Sequence, residues 1–135
     1  MMEARATFPP EPTSATAARH FAERTLAAWG IGSRVDTARL LVSELVINSV
    51  LHAGTDTELV LEAGPSVLRV EVADGSVERP VVQRPGPSAS SGRGLLILDD
   101  LADRWGVEVG ERGKTVWFEL RLGPVSAGVE RGPGG

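Results

Sequence analysis

Glu44, Asn48 and His52 recur at four-residue steps inside the otherwise apolar residues 33–54. At about 100° per residue, the three fall within an arc of about 80° on a single helix. Leu41 and Leu51 project into or beside that arc, while Leu40, Val42, Val46, Ile47 and Val50 cover a wider one expected to face a core. A helix that is apolar nearly all round is usually buried. Buried carboxylates are uncommon unless they are paired or hold an ion, so a Glu and an Asn one turn apart here require a partner. The plainer alternative is a solvated edge stripe, and the helix by itself does not choose.

Two further groups carry chemistry. In residues 67–74, Leu68, Val70 and Val72 share one face of a strand while Arg69 and Glu71 share the other. Continuing the alternation puts Asp74 at the end of the apolar row; the bland reading is a turn residue, since Asp74-Gly75 is also a good turn pair. Gly92-Arg93-Gly94 leads into an apolar run that predicts a short helix from Leu95 to about residue 103. Free backbone N–H groups and the dipole at a helix start attract anions, and glycines permit close approach. Arg93 adds a positive charge there, although a lone Gly-x-Gly also occurs in ordinary flexible loops.

The elements that must position these groups follow from pattern and punctuation. A short extended segment in residues 4–8 is stopped by Pro9, Pro10 and Pro12. Thr13 or Ser14 can cap a first helix, which reaches about Trp29 and ends at Gly30 and Gly32. Ser33 followed by Asp36 resembles a capping box for the second helix, and Gly54 closes it in the C′ role. The period then changes to two: residues 58–62 and 67–74 read as a hairpin across Gly64-Pro65-Ser66. Residues 75–94, rich in Pro and Gly, read as a lid, because long structureless loops in compact domains are usually functional. Residues 105–109 and 115–122 are the last two strands, turning at Glu111-Arg112-Gly113. From Gly123 to residue 135 the composition cannot bury a core and reads as a disordered tail.

Composition narrows the field. One domain fits 135 residues. With 41% hydrophobic and 24% charged residues, most of the chain is expected to be ordered. A net charge of −4 lacks the basic footprint of nucleic-acid binding. The absence of Cys excludes a disulfide framework, a zinc ribbon and a thiol nucleophile. With no signal pattern and no run of membrane-spanning length, a cytoplasmic protein without membrane association is expected.

Helices gathered on one face of a mostly antiparallel sheet make a two-layer α/β (α+β) sandwich. In that arrangement the polar stripe, Asp74 and the glycine corner can line one pocket, and each suits part of a nucleotide. An inward Asp accepts a hydrogen bond from the exocyclic amine of a purine. A glycine corner at a helix start holds phosphates. An Asn oxygen can hold a divalent ion bridging them, and a lid excludes water.

The run Glu44-Leu45-Val46-Ile47-Asn48-Ser49-Val50-Leu51-His52-Ala53 resembles the N box of the Bergerat-fold ATPases. These include DNA gyrase B, histidine kinases and the anti-sigma-factor serine kinases, and the form Ser-Glu-Leu-Val-x-Asn-x-Val-x-His is most similar to the last group and its actinobacterial relatives. The resemblance continues through Asp74-Gly75, the lid, Gly92-Arg93-Gly94-Leu95 and Gly113-Lys114-Thr115-Val116, about residues 14–122. It implies a Bergerat domain over 13–122 after an N-terminal extended segment, 1–12, with ATP and Mg²⁺ as cofactors. By the resemblance Asn48 holds the Mg²⁺, Glu44 polarises the attacking hydroxyl, and Asp74 reads adenine with Gly75 beneath the ring. Thr115 would support Asp74 from behind, and Gly92, Arg93, Gly94 and Leu95 would wrap the phosphates. His52 is a phosphate-side group or, more simply, a helix-end packing residue.

The activity so implied is that of an ATP-dependent serine/threonine kinase of the anti-sigma-factor type. Its partners would be a sigma factor and an anti-anti-sigma-like protein phosphorylated on Ser, and dimerisation is expected. One departure stands out: the family pattern is often Asp-x-Gly-x-Gly, whereas Asp74-Gly75-Ser76-Val77-Glu78 has one early glycine. That favours, as an alternative, a non-catalytic ATP-binding partner switch.

Overall fold

The computed structural model describes residues 1–76 and 90–123, with residues 90–95 by their backbone alone. The described elements are β1 (Met2–Phe8), α1 (Thr13–Ala28), α2 (Val35–His52), β2 (Thr57–Ala63), β3 (Val67–Asp74), α3 (Ser90–Leu101), β4 (Arg104–Val109) and β5 (Lys114–Arg121). The strands form one sheet in the order β1-β2-β3-β5-β4, and every neighbouring pair is antiparallel. The chain crosses from β3 through α3 to the far edge β4, and the β4–β5 hairpin returns β5 to the centre. This is the two-layer α+β sandwich expected from the pattern. Most of the expected lid (77–89 of 75–94) and most of the expected tail (124–135 of 123–135) lie outside the described residues.

The period-two rows explain the layering. Leu59 pairs with Val72 and Leu61 with Val70, while Val70 and Val72 pair onward with Phe118 and Val116. All six are buried and share the helix-covered face. Burying side chains of this size is worth about 1.5–3 kcal/mol each. α1 presents Ala15, Ala18 and Ala22 to this core, small residues that let it lie close to α2. The opposite face is an ion-pair lattice in which Arg69 bridges Glu71 and Glu119 at 3.0 and 3.1 Å. The Arg69 guanidinium lies 4.3 Å from the ring centre of Trp117. Ion pairs this accessible to water contribute only about 1 kcal/mol each, so the covered face dominates.

α2 supplies the polar stripe, and its orientation departs from expectation. Leu41, Val42, Leu45, Val46 and Ser49 are buried, whereas Leu40, expected in the core, is exposed. The core-facing arc is thus rotated towards Leu41. The expected capping box does not form either. Arg34 occupies the N-cap with φ 64° and no side-chain cap bond. Its guanidinium instead donates to Asp103 Oδ2 at 3.1 Å, the Arg121 carbonyl at 2.9 Å and the Leu101 carbonyl at 3.3 Å. The left-handed backbone, costing roughly 1–2 kcal/mol for a side-chain-bearing residue, is held by these three bonds to the ends of α3 and β5. At the other end Gly54 takes φ 64° beyond the C-cap Ala53, as expected. α1 likewise lacks the cap expected from Thr13 or Ser14: Pro12 is its N-cap, and the Ser14 hydroxyl donates to the Pro9 carbonyl at 2.6 Å.

Candidate functional site

The signals from three elements converge on the carboxylate that ends β3. Asp74 lies in the row of Leu68, Val70 and Val72 on the covered face, and its side chain is 1% exposed. Four donor contacts reach it. The Ser49 hydroxyl from α2 donates to Oδ2 at 2.7 Å and the Ser76 amide to Oδ1 at 2.9 Å. The Lys114 ammonium, at the start of β5, reaches Oδ2 at 2.8 Å and Oδ1 at 3.0 Å. Hydrogen bonds and an opposite charge compensate the desolvation of a buried carboxylate. Both carboxylate oxygens thus serve as hydrogen-bond acceptors within the site.

The backbone beside it is equally constrained. The Gly75 amide donates to Thr55 Oγ1 at 2.7 Å, and a Cβ on Gly75 would come within 2.9 Å of the Thr55 methyl. A Cβ on Gly113 would run into the carbonyl of Asp74 itself. Gly113 therefore allows the β4–β5 turn to close against the end of β3 and brings Lys114 opposite Asp74.

On α2, Glu44 and Asn48 are half-buried, and His52 is exposed in the last turn. Asn48 Oδ1 is buried and has no hydrogen-bond partner among the described residues. An orphaned amide oxygen is costly unless something outside the described chain satisfies it. A hard divalent cation, which takes oxygen ligands, fits that need. Among the described residues no group of three or more His, Cys, Asp and Glu gathers. One side-chain oxygen with phosphates and water completing the shell is a usual arrangement for Mg²⁺, and the residues present fit it.

The remaining expected site residues are distributed differently. Gly92, Arg93, Gly94 and Leu95 fall within the first turns of α3, because that helix starts at Ser90 and not at residue 95. The amides without intrahelical acceptors are therefore those of its first turn, Gly92 included. α3 packs against α2 through its body, where Leu98 is fully buried. Thr115 is not brought to Asp74. It pairs with Ala73, one residue out of step, and so points to the opposite face of the sheet. The cross-strand partner of Asp74 is Lys114.

Two residues of the cluster escaped the sequence reading. Ser49 recurs with Val42 and Leu45 on the core-facing side of α2, and a hydroxyl at such a position signals a buried partner. Lys114 continues the Val116, Phe118, Leu120 alternation back by one step, and it is the chain's one lysine.

The comparisons with known proteins agree with this architecture. The structure is similar to a crystal structure of the RsbU and RsbW domains of Rv1364c from Mycobacterium tuberculosis, with a TM-score of 0.69 and 22% sequence identity. The likeness covers 90% of this chain and 33% of that one, so the chain spans about a third of the length of the protein it matches. No curated protein matches the chain. Among the described residues no helix is long and apolar enough to cross a membrane. Over residues 8–120 the sequence matches the model of the histidine kinase-like ATPase domain. The chain belongs to that family, a Bergerat-fold ATPase domain, and ATP is the nucleotide this membership implies.

Proposed function

We propose that the chain is an ATP-binding regulatory serine/threonine kinase of the anti-sigma-factor type. It would bind a sigma factor and phosphorylate a Ser on an anti-anti-sigma-like partner, acting as a dimer. The observation that carries this reading is the orphaned Asn48 oxygen one turn from Glu44, on the helix whose Ser49 holds Asp74. In this reading Asp74 accepts the exocyclic amine of adenine and Gly75 lies beneath the ring. Gly92, Arg93, Gly94 and Leu95 surround the phosphates. Asn48 would hold Mg²⁺, and the ion would supply positive charge against the phosphates.

Glu44 is the base. As the acceptor Ser oxygen bonds to the γ-phosphorus and the bond from that phosphorus to the β-phosphate oxygen breaks, the hydroxyl proton passes to Glu44 and ADP leaves. Positioning and electrostatics account for most of such catalysis, so the protein needs few covalent participants. Glu44→Gln is expected to abolish transfer from radiolabelled ATP to a candidate acceptor while leaving ATP binding largely intact. Full transfer by Glu44→Gln would remove Glu44 from this role.

A non-catalytic switch is the second reading, favoured by the single early glycine after Asp74. The same assay separates the two, because the switch binds ATP without any transfer.

A further inference from the structure

A carboxylate offers about four acceptor directions, and at Asp74 four donor contacts are already in place. Oδ2 receives the Ser49 hydroxyl and the Lys114 ammonium at 2.7 and 2.8 Å. Oδ1 receives the Ser76 amide and the same ammonium at 2.9 and 3.0 Å. With side-chain exposures of 1% for Asp74 and 9% for Lys114, water does not compete at this pair. An arriving exocyclic amine therefore finds no free acceptor.

Two of the donors belong to the frame. Ser49 sits on the buried side of α2, and the Ser76 amide is main chain two residues from Asp74. Lys114 is different: it is a point charge on a flexible four-carbon stem, anchored at the first residue of β5. Its ammonium recovers hydration when it leaves, whereas the Ser49 hydroxyl stays inside the buried side of α2 and the Ser76 amide is part of the main chain.

We propose that Lys114 is an internal occupant of the base-reading carboxylate, and that withdrawal of its ammonium is the step that admits the amine of the nucleobase. This rests on the assignment of Asp74 to adenine made under the proposed function. The exchange replaces a charged donor with a neutral one, and charge-assisted bonds are the stronger. The base alone therefore cannot drive it, and contacts to the phosphates must supply the difference. The residue type matters as well. An arginine fork would clamp the carboxylate through two parallel bonds, so the chain's one lysine stands where its thirteen arginines would not release.

Because the chain has a single lysine, ¹⁵N-lysine labelling of the whole protein gives one side-chain ammonium signal. Without nucleotide it is expected to be observable and slow to exchange with solvent; saturating ATP with Mg²⁺ is expected to abolish that protection. A signal unchanged at saturation overturns the proposal. In parallel, Lys114→Met is expected to bind ATP about tenfold more tightly and Lys114→Arg about tenfold more weakly, the scale of one charge-assisted hydrogen bond. In the Met variant the Ser49 hydroxyl and the Ser76 amide still donate to the carboxylate. Weaker binding by Lys114→Met contradicts the proposal. Asp74→Asn separates the two layers of inference. Unchanged ATP affinity in that variant overturns the adenine assignment itself, whereas lost affinity with a wild-type lysine signal indifferent to ATP overturns the lysine step alone.

Discussion

Replacing Ser49 with Ala removes one hydroxyl from the interior and nothing else, so its cost can be worked out term by term. Ser49 is 4% exposed and donates at 2.7 Å to a carboxylate whose side chain is 1% exposed. A hydrogen bond to a charged group contributes about 1.5–3 kcal/mol. Ala is the better helix former by roughly half a kcal/mol, which offsets part of the loss. The net expectation for Ser49→Ala is a destabilisation of about 1–2.5 kcal/mol. Urea unfolding should show the midpoint falling while the slope stays constant, the mark of a native-state effect. In an Asp74→Ala background the same substitution should cost nothing and gain the small helix term, giving a coupling of about 1.5–3 kcal/mol. Ser49→Ala as stable as wild type, or an additive cycle, would refute the claim that Ser49 and Asp74 form one buried unit.

Two further outcomes follow from other parts of the fold. The backbone amide of Arg121, at 2.7 Å, and then the Arg34 guanidinium hold the Asp103 carboxyl below its usual range against partial burial. A depressed carboxyl stabilises the fold fully above its unfolded value, about pH 4, and progressively less as pH falls through the folded one. Asp103→Asn should therefore be less stable than wild type at pH 7 and draw level with it in acid; an equal gap at pH 7 and at pH 3 would contradict this. Gly113→Ala should cost about 1–3 kcal/mol in thermal unfolding, because its Cβ meets the Asp74 carbonyl. Gly110→Ala, whose Cβ finds only the Gly113 carbonyl at 3.8 Å, serves as the near-neutral control.

Much of this was readable from periodicity. The alternation that ends on Asp74 predicted its side of the sheet, and the tertiary structure buries every second residue from Leu68 to Asp74 as expected. Gly54 likewise announced the end of α2 through the one backbone conformation that glycine adopts without cost. Where the reading failed, a tertiary force outweighed a local one. The orientation of α2 was ambiguous because a helix apolar on nearly all sides gives no clear stripe, so Leu40 and Leu41 exchanged roles. The cap at Ser33 lost to Arg34, whose side chain is recruited by Leu101, Asp103 and Arg121, far away in sequence. Gly92 and Gly94 disfavour helix by propensity, yet α3 starts at Ser90 and packs onto α2. Propensity is a weak prior against such packing. The pairing of Asp74 with Lys114 and not Thr115 depends on strand register, and a one-residue step in register reverses the face.

In the proposed function the corner around Asp74 and Asn48 holds ATP with Mg²⁺. Calorimetric titration of ATP into the wild type and Asp74→Asn, each with and without Mg²⁺, tests it most directly. The expected result is saturable binding by the wild type that tightens with Mg²⁺ and is largely lost in Asp74→Asn. Absence of binding in the wild type, or equal binding by the two proteins, would contradict the account.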